Sequence, residues 1–270
     1  MCGIAGILLT PMDRPPEMLA EMRELFTNNL KFNEERGRSA SGVAVMQADG
    51  RLLVEKSALS ASEFVETEAF SSALRQIGPC TTLVLGHARH PTKGDPAWMQ
   101  NNHPLQAGPV VGVHNGHIRN DDDLFSQYNL PRLGQVDSEV IFRLIETCPP
   151  LSQPRDYLAS LRPLLRSLQG DFTFLAADRR APERLVVLKH ANPLCLHYHA
   201  PWHALLFSSR YIFLRKAFGF SITTEALPHD QMLLFEARWL PEMGSQPAAQ
   251  LPFIETPEVR TGEIWVTKPY

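Results

Sequence analysis

The second residue of the chain is a cysteine, in the run Met1-Cys2-Gly3-Ile4-Ala5-Gly6-Ile7. Removal of one residue leaves a chain that begins with an amine and a thiol on the same residue. A thiol titrates near about 8.5 and an α-amine near about 7.7–8.0, so the amine can hold the proton that the thiol gives up. Nucleophile and base then share one residue, and the chemistry they serve is attack on an acyl carbon. If Met1 stays, that amine is a peptide nitrogen and cannot act as base. Taken alone, small apolar residues behind Met1 also fit a plain edge strand.

Four further blocks carry chemistry: Arg36-Gly37-Arg38-Ser39-Ala40-Ser41-Gly42, Gly86 to Gly94 (Gly-His-Ala-Arg-His-Pro-Thr-Lys-Gly), His114-Asn115-Gly116-His117 and Asp137-Ser138-Glu139. Arg89 ends an apolar run and heads a proline-containing loop. Its planar guanidinium suits a carboxylate held through two parallel bonds, and a surface salt bridge is the plainer reading. Asn115 and Gly116 follow the apolar strand 110–114, where a side-chain amide and a backbone N–H can converge on an oxyanion. The competing reading is an Asn-Gly hairpin turn, but a polar run, Asn120 to Asp123, and a helical pattern follow instead of a returning strand. Asp137 opens a helix and could serve simply as its N-cap.

In this order, with Cys at position two, the blocks resemble the glutaminase domain of class II amidotransferases, such as those of amidophosphoribosyltransferase and glucosamine-6-phosphate synthase. The resemblance covers residues 2–236 and implies an N-terminal-nucleophile hydrolase fold: α+β, a four-layer αββα sandwich of two antiparallel sheets. It also implies roles. Cys2 is the nucleophile, Asn115 and Gly116 the oxyanion hole. Arg89, with Thr92, receives the α-carboxylate of glutamine, Gly116 lines the substrate site, and Asp137 takes the α-ammonium. Arg36, Ser41, His90 and Lys93 support the site. Lys93 and His90 depart from the pattern, standing where the look-alikes carry a histidine or small residue and an aromatic. Both lie in the loop that closes over glutamine, which points to altered affinity or a larger γ-glutamyl substrate.

The expected reaction is hydrolysis of the glutamine amide through a Cys2 thioester, with no metal or organic cofactor. The look-alike synthases continue into a second domain, whereas here residues 237–270 are a short proline-rich tail, packed on or extending from the same domain. Ammonia is therefore expected to pass to a separate synthetase subunit. A stand-alone hydrolase of a γ-glutamyl conjugate, similar to the amidohydrolase of ergothioneine synthesis, is the alternative; an inactive glutamine-sensing or partner-binding domain is another. The oligomeric state is open, a homo-oligomer included.

The elements that must position these residues are legible from periodicity. Leu19, Met22, Phe26 and Leu30 form one helical stripe behind Pro15 and Pro16. A hairpin is expected over 42–56, a helix over 60–77, and strands over 82–89, 110–114, 172–177, 184–189, 204–208 and 232–235. Helical stripes follow Asp137 and run from Leu158 to Leu168, where Pro163 should kink or shorten the second. Strands outnumber helices and come in runs, which argues against a doubly wound parallel sheet. A hydrophobic content of 44% supports a substantial core. A net charge of -3 gives nucleic acid no basic face to bind. Absence of a signal pattern or a span of roughly 20 apolar residues points to a cytoplasmic protein with no membrane contact. Cys80, Cys148 and Cys195 lack paired spacing and are expected as buried thiols. His197, His199 and His203 read as strand alternation ending in a turn at Pro201, in preference to a metal site.

Overall fold

The computed structural model describes residues 1–254. In chain order, β1 (Gly3–Leu9) leads to α1 (Pro16–Asn33), the hairpin β2 (Ala40–Gln47) and β3 (Leu52–Ser57), then α2 (Ala61–Phe64), α3 (Glu68–Arg75) and β4 (Thr81–Arg89). Next come β5 (Leu105–Ala107), β6 (Val110–Ile118), α4 (Asp121–Gln127), α5 (Glu139–Glu146) and α6 (Pro154–Leu165). The rest comprises β7 (Gly170–Asp178), β8 (Ala181–Lys189), β9 (Cys195–His199), β10 (Ala204–Ser208), α7 (Tyr211–Phe218), β11 (Glu225–Ala226), β12 (Gln231–Glu236), α8 (Leu240–Met243) and β13 (Ala249–Pro252).

Among the described residues the strands form two antiparallel sheets, in the orders β11-β9-β10-β1-β4-β2-β3 and β13-β12-β8-β7-β6-β5. They stack face to face. Helices α1, α2, α3 and α7 cover the first sheet, and α5 and α6 cover the second. This is the expected four-layer α+β sandwich. A strand covered on both faces has no solvent side, which is why β1 reads as an unbroken apolar run. Its period of two then sorts it: Ala5, Ile7 and Leu9 pack under the helices with Met22, Phe26 and Leu30. Ile4 and Leu8 point into the layer between the sheets, with Leu85, Val113, Leu175, Phe207 and Phe235. Cys2 continues that inward parity one step beyond the last β1–β4 pair, Gly3–Ala88.

Departures from the sequence expectations have local causes. The helix expected over 60–77 is two helices, because Ser60 and Glu63 close a reciprocal capping box on α2 and Thr67 caps α3 by accepting the Phe70 N–H at 3.2 Å. Pro163 lies inside α6, and the helix ends at Leu165, leaving Leu168 beyond it but still buried. Cys80 is exposed, Cys148 half-buried and only Cys195 buried, correcting the expectation of three buried thiols. Cys80 sits in the turn before β4, where only its carbonyl is used, by the Ala48 N–H. Residues 237–254 turn through α8 and add β13 to the edge of the second sheet. The remainder of the expected tail, 255–270, lies outside the described residues. No described helix is long and apolar enough to cross a membrane.

Candidate functional site

Cys2 lies where β1, β4 and the loop after Arg89 meet. Its thiol donates to the His90 carbonyl and accepts from the His90 N–H, each at 3.2 Å. Arg36 Nε donates to the Cys2 carbonyl at 2.6 Å, so the turn after α1 fixes the Cys2 backbone. Gly3 is required next to it: a Cβ there would stand 2.5 Å from the Asn33 carbonyl oxygen. Burial raises the thiol pKa; the His90 N–H, the positive N-terminus and Arg89 oppose it, and Asp137 adds to it. Arg89 follows Ala88, the β4 partner of Gly3, so the guanidinium-bearing residue ends its strand beside Cys2.

Arg89 is buried, and its guanidinium holds the loop that follows it. Nη1 donates to Asn102 Oδ1 at 2.7 Å, while Nη2 donates to the carbonyls of Lys93 (2.7 Å) and Gly94 (2.9 Å). Both edges of a guanidinium that can take a carboxylate through two parallel bonds use Nη2. A carboxylate on Arg89 must therefore displace those carbonyls. Lys93 does not face Cys2: its ammonium spans to Asp121 at 2.7 Å and Asp122 at 3.1 Å, where Arg132 also binds both carboxylates. Burial works against the Lys93 charge, but those carboxylates outweigh it and raise its pKa. Thr92 and the His90 ring are exposed; the Thr92 hydroxyl has no hydrogen bond among the described residues. His90 thus contributes its backbone. Ser41 is buried on β2 opposite Ala88, and its hydroxyl has no hydrogen-bond partner among the described residues.

Asn115 and Gly116 lie inside β6, which runs on to Ile118 past the end expected at 114. Asn115 Nδ2 donates to Ser209 Oγ at 2.9 Å, and the same hydroxyl accepts the Ile4 N–H at 2.7 Å. Ser209 therefore ties the amide to the strand that carries Cys2, leaving one Nδ2 hydrogen for a ligand. Gly116 has φ 138°, and a Cβ would lie 1.8 Å from the Asp171 carbonyl oxygen. Gly116→Ala is expected to lower stability by roughly 2–4 kcal/mol through strain and overpacking, read as a fall in the urea midpoint.

Asp137 does not cap α5. Its carboxylate accepts the Ile118 N–H at 2.6 Å and lies 3.3 Å from His117 Nδ1, at the end of the strand that bears Asn115. The helix start at Ser138 has no side-chain cap bond; Ser138 Oγ pairs instead with His114 Nδ1 at 2.7 Å.

Several residues of this region were not singled out from sequence. Ser209, Asn102 and His103 are buried, and polar residues gathered at strand ends (Asn101-Asn102-His103 and Ser208-Ser209) were the available signal. His87 Nε2 donates to the His114 carbonyl at 2.9 Å, and the His87 and His103 rings stack at 4.3 Å. His87 Nδ1, both nitrogens of His103 and His114 Nε2 are buried without hydrogen-bond partners among the described residues. Burial brings His87 and His114 each down to about 3, and holds His103 well below 6.5. An unfolded chain protonates these rings near 6.5 and the folded one does not, so stability falls as pH drops from 6.5 toward 3. Each excluded proton contributes a slope of about 1.4 kcal/mol per pH unit. The urea midpoint is expected to change little from pH 7.5 to about 6.5 and to fall steadily from there to pH 5; an unchanged midpoint contradicts a neutral cluster.

The described residues hold no group of His, Cys, Asp and Glu arranged for a metal ion. His197 bonds the Thr223 carbonyl at 2.7 Å, while His203 occupies a left-handed turn after a 3-10 turn at Ala200–Trp202.

Residues 94–216 match the family described as a glutamine amidotransferase domain. Over 217 residues the chain is 26% identical to 7-cyano-7-deazaguanine synthase from Saccharolobus solfataricus, covering 77% of this chain and 43% of that protein. It is 25% identical to glutamine–fructose-6-phosphate aminotransferase (isomerizing) from Vibrio parahaemolyticus over 201 residues, 73% of this chain and 30% of that one. The chain thus spans less than half the length of these curated relatives. Glutamine phosphoribosylpyrophosphate amidotransferase from B. subtilis, complexed with ADP and GMP, superposes with a TM-score of 0.67 at 18% identity, over 94% of this chain and 50% of that one. A glutamine aminotransferase class-II domain protein from Silicibacter pomeroyi superposes at 0.54 and 17% identity, over 93% of this chain and 98% of its own. Two stacked antiparallel sheets and these superpositions give the chain the fold of those amidotransferases, and residues 94–216 match a glutamine amidotransferase domain.

Proposed function

We propose that this domain hydrolyses the γ-carboxamide of L-glutamine through a thioester on Cys2. The observation that supports the reading is that strand pairing sets Arg89 beside Cys2, that Ser209 ties Asn115 to Ile4 two residues on, and that Asp137 is held at the end of the strand bearing Asn115. With Met1 removed, the Cys2 amine takes the thiol proton and the sulfur attacks the amide carbon. Asn115 Nδ2 and the Gly116 N–H face the oxygen as it becomes negative. The protonated amine then gives its proton to the departing ammonia, and water cleaves the thioester to glutamate. Asp137 receives the α-ammonium. Arg89 receives the α-carboxylate by exchanging its bonds to Lys93 and Gly94, so the 89–94 loop rearranges when substrate binds. No cofactor enters this sequence, and the released ammonia passes to an acceptor carried by a synthetase domain or subunit.

One feature favours a bulkier leaving amine as a second reading. A cavity of about 550 Å³ is lined by Ser209, Arg210, Tyr211, Ile212 and Lys189, and Ser209 is the residue whose hydroxyl holds Asn115 and Ile4. Glutamate release from glutamine and from γ-glutamyl anilides, measured side by side, separates the two. A higher kcat/KM on glutamine supports the first reading, and preference for the anilide the second. Turnover of neither removes both and leaves a binding domain.

A further inference from the structure

On the helix side of the first sheet, at the opposite end of β1 from Cys2, lies a cavity of about 300 Å³ that the reaction above does not use. Leu9, the last residue of β1, pairs with Ala204, two residues after Trp202 in the wall of this cavity. The length of β1 sets a separation of roughly 20 Å from Cys2. The wall is aromatic. His199 and Trp202 rings lie 4.5 Å apart, Trp202 and Phe218 stack at 6.2 Å, and Phe220 meets Phe218 at 5.4 Å. Phe220 is 62% exposed, an apolar ring left at the mouth.

The opposite wall is acidic. Glu21 and Glu24 stand three residues apart on α1 and so share one face, and both line the cavity. Neither has an ion pair or hydrogen bond among the described residues, and no lysine or arginine lines the space. The cations of this region pair with other groups and not with Glu21 or Glu24: Arg23 bonds the carbonyls of Leu74 and Ile77, Arg14 those of Thr10 and Trp202, Arg215 bonds Ser221, and Lys216 lies over the Phe32 ring. Burial, and then His197, lower the His199 pKa, which favours the uncharged ring.

Ring faces attract positive charge, and two unpaired carboxylates set the same sign. A compact ammonium keeps a strong hydration shell that rings cannot replace, whereas an alkylated ammonium loses little on leaving water. The volume fits a small molecule. We propose that this cavity is a binding site for a small organic cation carrying an alkylated ammonium group, independent of the Cys2 site.

The test is calorimetry of the full chain with choline, with 3,3-dimethyl-1-butanol as its uncharged isostere and ethanolamine as the primary amine. Choline is expected to bind saturably, with the isostere and ethanolamine each about tenfold weaker. Glu21→Gln with Glu24→Gln should weaken choline about tenfold, and Phe220→Ala several-fold, with glutamate release unchanged. Both carry exposed side chains, so circular dichroism and the urea midpoint should match the wild type. Equal binding of choline and its isostere, no binding of choline at 10 mM (roughly a hundredfold above a weak ring-cage affinity), or binding indifferent to the glutamate changes overturns the proposal. So does sedimentation showing a dimer that Phe220→Ala dissolves while choline has no effect.

Discussion

Cys2→Ala is expected to lower glutamate release by about 10⁴-fold or more, leaving only what binding and the oxyanion donors achieve without a nucleophile. The size follows from the division of labour at the site. Sulfur and amine belong to one residue, so no neighbouring side chain can stand in for the lost attacker: the rings of His87, His103 and His114 are neutral and buried. Among the described residues the side chain hydrogen-bonds only the His90 backbone, while the Cys2 carbonyl keeps its bond to Arg36, so the variant should fold with an unchanged urea midpoint. Cys80→Ala, at an exposed thiol, serves as the control and should leave the rate unaltered. Residual turnover within tenfold of wild type would remove Cys2 from the chemistry.

Asp137→Asn is expected to cost about 10²–10³ in kcat/KM, mostly through KM, because it leaves a substrate cation without its counter-charge in a buried place. The substitution keeps the shape. Asparagine Oδ1 can still accept the Ile118 N–H that Asp137 now holds at 2.6 Å, so the end of β6 and the Asn115 amide stay in register. A substrate lacking the α-amine makes the effect specific. Wild type and variant should hydrolyse 4-carbamoylbutyrate at similar rates, and a loss on glutamine equal to the loss on that analogue would assign Asp137 a structural role only.

Strands were legible where burial on one or both faces imposed a pattern, as in β1, β4, β7 and β10. Helix α1 was legible from a single stripe behind two prolines. What escaped were elements with little apolar signal of their own. Strand β5 has three residues and β11 has two, and each exists by pairing with a longer neighbour. The site divides in the same way. Cys2, Arg89, Asn115 and Asp137 could be named from residue type and order, but their bonding could not. Arg89 spends its donors on Asn102, Lys93 and Gly94, and Asp137 serves the strand in front of its helix. Ser209 is separated from Ile4 by 205 positions, so no local spacing shows that its hydroxyl joins Ile4 to Asn115. Lys93 and Thr92 illustrate the converse. Position in a motif marked them, yet one reaches away to Asp121 and the other faces solvent.

The decisive measurement is intact-mass and peptide analysis after treatment with 6-diazo-5-oxo-L-norleucine, an electrophile shaped like glutamine. A processed first residue with thiol and amine on one carbon frame predicts a single adduct, on the peptide that begins with Cys2 and bears a free α-amine, and slowed by added glutamine. An adduct on Cys80 or Cys148, or full turnover by protein that retains Met1, would contradict it.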